Sequence, residues 1–175
     1  NEYSASSPAT KRNLGMTQAA HSDEVKDTGP LQGLLSRERV AANVKVSSKK
    51  RMLEELAELL SSQLPGMDQH TVFSTMNERE RLGSTGIGQG IALPHGRLNG
   101  IQEPIAAAMK LQQPLNFDAI DNQPIILVVG LLVPADATDQ HLRILSDLAG
   151  AFSDSGFRRA VSEASDADTL FNLLI

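Results

Sequence analysis

Leucines recur at positions 53, 56, 60 and 64, while Glu54, Glu55 and Glu58 turn away from that stripe. The spacing predicts an amphipathic helix over about 49–63. Ser47 or Ser48 serves as its N-cap, and Pro65-Gly66 ends it. A second helix is expected over about 69–80, capped by Asp68 and packed through Val72, Phe73 and Met76. A third spans about 139–152, capped by Thr138 or Asp139, with Leu142, Leu145, Leu148, Ala149 and Phe152 as its core face. A short helix follows through Phe157, Ala160 and Val161. The last runs over about 166–175 from a cap at Ser165 or Asp166 and packs through Leu170, Phe171 and Leu174.

Elsewhere the pattern changes period. Ile125 to Val133 (IILVVGLLV) is an unbroken apolar run, as expected of a central strand buried on both faces, and Pro134 ends it. Ile105 to Leu111 reads as a strand whose small alanines permit close packing, broken by Gln112-Gln113-Pro114. Residues 120–123 make a turn. Leu31, Leu34 and Leu35 suggest a helical turn that plugs a core edge, and Val40, Val44 and Val46 a short extended segment. Residues 1–29 have no period and read as a flexible tail, native or vector-derived, and residues 30–175 as the single globular domain.

The chain has 175 residues, enough for one domain with a real core. Only 3% are aromatic and none is Trp, so aliphatic side chains fill that core and base-stacking modules are disfavoured. A net charge of −5 without a basic block argues against nucleic acid as a partner. The absence of cysteine removes disulfides, thiolate metal sites and a cysteine nucleophile. The apolar run is too short for membrane insertion, and no secretion signal is visible, so a cytoplasmic protein is expected.

The chemistry concentrates in Gly83–Arg97, GSTGIGQGIALPHGR. Its glycines permit φ > 0 and close approach, and successive N–H groups in such a turn can hold a phosphate. His95 is fixed between Pro94 and Gly96, with Arg97 beside it. The alternative reading is a glycine-rich hairpin carrying one surface histidine. Upstream, Arg79 and Arg81 lie in a charged helix end and each can reach over the loop. His141 falls in the first turn of the third helix, where the positive dipole end favours neutral imidazole. His70 reads as a surface helix residue, and His21 as exposed and uninvolved.

Other chemistries fit poorly. No histidine spacing suits zinc, and no Walker loop, GxGxxG fingerprint or GxSxG elbow is present. Neither metal nor cofactor is expected. Histidine as a nucleophile toward a phosphoryl group remains. Backbone N–H groups and His141 can donate to the phosphoryl oxygens, and Arg79 can offset developing charge.

Gly83–Arg97, preceded by Arg79-Glu80, resembles the active-site segment of the phosphotransferase-system enzyme IIA proteins of the fructose–mannitol superfamily. FDAIDNQPIILVVGLLVPADATDQHLRILSDLA resembles their second signature, and DAIDNQP points to the nitrogen-type regulatory branch. The resemblance covers about Leu31 to Ile175. It implies an α/β fold with a mixed, mainly parallel sheet flanked by helices on both sides. It also implies a regulatory phosphocarrier. His95 would accept phosphate through Nε2 from an HPr-type phosphohistidine carrier, with His141 supporting and Arg79 or Arg81 stabilising charge. Implied partners beyond that donor are regulatory target proteins such as potassium-transport or sensor proteins. The alternative is a sugar-specific fructose or mannitol IIA that passes phosphate to a IIB domain. Ile87, Ile91, Leu93 and Leu98 are read either as an apolar docking rim or as plain core.

Overall fold

A computed structural model of the chain describes residues 28–175; the tail expected up to residue 27, with His21, lies outside the described residues. The chain enters beside its own end: the Gly29 N–H donates to the Ile175 carbonyl at 2.7 Å, and the Leu31 N–H to the Leu174 carbonyl at 2.8 Å. The turn expected at Leu31 closes through Leu34 N–H to Leu31 O at 2.9 Å. Extended structure then begins earlier than the valine pattern suggests, with β1 at Leu35–Val44.

Two helices follow, α1 (Lys49–Ser61) and α2 (Gln69–Arg81). Ser48 caps α1 by accepting the Arg51 N–H, and Met52, Leu53, Leu56, Ala57 and Leu60 are buried. The glycine-rich stretch makes three short strands, β2 (Gly86–Gly88), β3 (Ile91–Ala92) and β4 (His95–Leu98). Long strands β5 (Ile105–Leu115) and β6 (Ile125–Pro134) come next. Helices α3 (Thr138–Phe152), α4 (Ser155–Glu163) and α5 (Ala167–Leu174) complete the chain.

The sheet order is β1-β5-β6-β3-β2, with β4 also paired to β6. The sheet is mixed: β1–β5, β3–β6 and β4–β6 are parallel, whereas β2–β3 and the long β5–β6 ladder are antiparallel. β3 and β4 run in turn along one edge of β6, matching Ile91 to Leu127 and His95 to Leu131. Pro94, which has no N–H to give, sits in the gap, and its carbonyl accepts the Leu131 N–H at 3.0 Å.

β6 is buried along nearly its whole length, as its composition predicts. Leu127, Val129, Leu131 and Val133 face one core with α3, α4 and α5. Val128 and Leu132 face a second core with α1 and α2. Gly130 permits that second contact, because a Cβ there would lie 2.8 Å from both Leu56 methyls.

Three expectations need correction. β5 does not break at Gln112-Gln113-Pro114 but continues to Leu115. Its register shifts between Lys110 and Leu115, and all three residues are exposed there, so the missing proline donor interrupts no regular ladder. In α3, Leu142 is exposed, as is Ala149, and the buried face is Ile144, Leu148 and Phe152. The N-cap residue is Ala137, with no side-chain cap; the Thr138 hydroxyl instead accepts from Arg97.

Candidate functional site

Three elements bring the site together: the C-terminal end of α2, the start of β4 and the first turn of α3. The last two are fixed by β6, whose parallel pairing places His95 opposite Leu131 and whose C-terminal end leads into α3. The loop between α2 and β4 is shaped by its turn. Gln89 and Gly90 have φ of 60° and 81°, and Gly88 pairs with Ile91 across them, so β2 and β3 form a two-residue hairpin of the primed kind.

His95 and His141 face each other edge to face, with ring centroids 4.9 Å apart and planes at 71°. The His95 Nδ1 lies 2.8 Å from the Leu93 carbonyl oxygen. A carbonyl only accepts, so Nδ1 carries the proton and, in the neutral ring, Nε2 keeps its lone pair. Burial is the main reason that the His95 pKa lies below the ordinary histidine value; the Leu93 bond and Glu80 oppose it, and Arg79 adds to it. The His141 pKa is lowered too, first by burial and then by His95, Arg97 and Arg79. The neutral ring expected from the helix dipole is therefore favoured by burial and cationic neighbours. The His141 Nε2 is buried and has no hydrogen-bond partner.

Arg79 donates from Nη1 to the Gly83 carbonyl at 2.8 Å, so it closes over the loop. Its charge acts on both histidines, and Arg81 contributes to neither shift. His70 stands apart on the α2 surface, its ring stacked 6.5 Å from Phe73.

Arg97 and Glu80, which are assigned no chemical role above, border the site. Arg97 donates to Thr138 Oγ1 at 3.1 Å and ties β4 to α3. Strand alternation puts it on the same side as His95, a signal available in the sequence. Glu80 belongs to a charged run that reads as a solvated helix end, yet it is only 6% exposed. It binds Thr85 and Lys49, contacts with no local sequence signal.

The proposed apolar rim divides. Ile91, Leu93 and Leu98 are core, and Ile87 is 39% exposed. Among the described residues the most exposed large apolar side chains are Leu82, Ile120 and Leu142 at 85%, 82% and 63%. They adjoin the glycine loop, the β5–β6 connection and His141 in sequence. A cavity of about 270 Å³ lies elsewhere, lined by residues including Ile91, Lys110, Arg158 and Val161, and contains neither facing histidine. Among the described residues no group of three or more His, Cys, Asp or Glu could hold a metal ion, and no helix is long and apolar enough to cross a membrane.

Gly96 carries a local prediction. A Cβ there would lie 2.5 Å from Thr75 Cγ2 on α2. Gly96→Ala is expected to lower stability by about 1–3 kcal/mol in urea unfolding. Adding Thr75→Ser removes the offending methyl and should restore most of the loss.

The chain belongs to the EIIA 2 family of the phosphoenolpyruvate-dependent sugar phosphotransferase system, whose model matches residues 33–175. Within that family it is similar to nitrogen regulatory proteins. It is 41% identical over 145 residues to the nitrogen regulatory protein of Pseudomonas aeruginosa, covering 83% of this chain and 94% of the relative. The crystal structure of nitrogen regulatory protein IIA-Ntr from Neisseria meningitidis superposes with a TM-score of 0.76 at 38% identity, covering 81% of this chain and 97% of that one. The IIA mannitol structure from Escherichia coli has a TM-score of 0.67 at 20% identity, covering 80% and 98%, and shares the fold.

Proposed function

We propose that the domain, residues 30–175, is a regulatory phosphocarrier that accepts a phosphoryl group on Nε2 of His95 from the phosphohistidine of an HPr-like protein. The observation that carries this is the 2.8 Å contact between His95 Nδ1 and the Leu93 carbonyl, which leaves Nε2 as the attacking nitrogen. The Nε2 lone pair attacks phosphorus, a new N–P bond forms, and the carrier's N–P bond breaks with its electron pair leaving on the carrier imidazole. Nδ1 keeps its proton and donates it to the Leu93 carbonyl, which stabilises the charge gained by the ring. His141 and Arg79 face the transferred group and balance its oxygens.

The exposed Leu82, Ile120 and Leu142 supply apolar contact for the donor. A phosphoryl group adds about −1.5 to −2 charges at the centre of this face. Partners that dock there are thereby discriminated by phosphorylation state. The similarity to nitrogen regulatory proteins supports a regulatory role over a IIB acceptor; targets of the potassium-transport or sensor kind are part of this proposal. The reaction so assigned is a cytoplasmic one.

Incubation with phosphoenolpyruvate, enzyme I and an HPr-type carrier tests the proposal. One added acid-labile phosphoryl group per chain is expected; no mass gain with an active donor contradicts it. The histidine pKa shifts make a second prediction. Both rings should titrate below the ordinary value of 6.5 in an NMR pH series. Both therefore stay neutral as pH falls through that value, and His95 keeps its nucleophilic Nε2. Removing Arg79, whose charge disfavours protonation, should raise both midpoints.

A further inference from the structure

Glu80 is the last-but-one residue of α2, and its side chain is 3% exposed. Three donors converge on its carboxylate. Thr85 Oγ1 donates at 2.6 Å, the Thr85 N–H donates at 3.0 Å, and Lys49 Nζ lies at 3.1 Å. Lys49 is itself held, 4.5 Å over the Phe117 ring and 3.8 Å from Asp118. A carboxylate that only accepts suits this set of donors, and a buried carboxylate is retained only where such partners compensate it.

The hydrogen bonds continue past Thr85. Its carbonyl accepts the Leu93 N–H at 2.9 Å, and the Leu93 carbonyl meets His95 Nδ1 at 2.8 Å. An unbroken path thus links a buried charge to the ring proposed as nucleophile. We propose that Glu80, anchored by Lys49, is a positioning residue that acts through Thr85 and Leu93 to hold the His95 ring with Nε2 outward. The inference rests on the phosphocarrier reading for its kinetic consequence, but the ring orientation it describes does not.

The loop has independent support, so the fold survives loss of this path. Ser84 Oγ donates to the Phe117 carbonyl at 2.8 Å and accepts the Gly86 N–H at 3.1 Å. Glu80→Gln places an amide NH2 against converging donors and removes the charge that holds Lys49. Thr85→Val removes the hydroxyl donor but leaves the Lys49–Glu80 pair. Thr85→Ser keeps both donors.

The experiment measures phosphoryl transfer from the charged HPr-type carrier across carrier concentrations, together with 15N NMR of the His95 ring. Glu80→Gln and Thr85→Val are expected to lower kcat by about tenfold to a hundredfold with KM little changed, as a misplaced reacting atom does. Both should convert the single Nδ1–H form of His95 into a mixture of tautomers, and Thr85→Ser should restore rate and tautomer. A folded Glu80→Gln with the wild-type kcat and tautomer overturns the inference. If Glu80→Gln does not fold, Thr85→Val decides on the same readouts. If the wild type accepts no phosphate, the phosphocarrier reading fails, and the tautomer alone decides whether Glu80 positions the ring.

Discussion

His95→Ala is expected to accept no phosphoryl group while folding as the wild type does. The loss is complete because the other ring at the site offers no outward nitrogen: His141 Nε2 is buried, and its ring meets His95 edge to face. The fold is spared because His95 is half-buried at the start of an edge-paired strand. Its ring makes one hydrogen bond, to the Leu93 carbonyl. Losing that bond costs on the order of 1 kcal/mol. Intact mass after incubation with the charged carrier gives the first result, and urea unfolding the second. His141→Ala, in the same experiment, should still gain one group at a reduced rate. Unfolding of His95→Ala, or wild-type uptake by it, defeats the assignment.

Arg79→Ala is expected to slow uptake by about 10²–10³-fold, the usual cost of removing one group that stabilises transferring charge. The guanidinium is fixed over the loop by its 2.8 Å bond to the Gly83 carbonyl, and its charge reaches both histidines. Arg79→Lys should fall between, since an ammonium keeps the charge but not the planar fork. Arg81→Ala should stay close to wild type, because Arg81 is exposed, whereas Arg79 is the arginine held over the loop. Initial rates at saturating carrier separate these outcomes. Equal losses from the two alanine variants would mean that both arginines serve the transferred group.

The features legible in the sequence are those set by local period and by special residues. The leucine stripe defines α1 to within two residues at its C-terminal end, and the aliphatic run defines β6. The glycines and the Pro-His-Gly sequence mark the loop and ring because they restrict or free the backbone directly. The face of α3 was less determined. Leu142, Ile144, Leu145, Leu148, Ala149 and Phe152 make an apolar arc wider than the buried surface, so spacing alone does not say which margin stays exposed. Leu142 is that margin, beside His141.

Contacts between distant residues were not legible. β4 exists because β6 offers it an edge, and four residues have little strand signal of their own. Glu80 looks solvated among Glu78, Arg79 and Arg81 until Lys49 and Thr85 close around it. Arg97 gains its link to α3 through Thr138, forty-one positions along the chain. The geometry of the two histidines follows from the same long-range pairing, which no local pattern encodes.

The most direct measurement is NMR of the protein phosphorylated through the carrier, with 15N-labelled histidine and 31P detection to find the nitrogen that carries phosphorus. The account predicts one phosphoryl group on Nε2 of His95, with Nδ1 still protonated toward the Leu93 carbonyl. Phosphorus on His141, or on Nδ1 of His95, would contradict it.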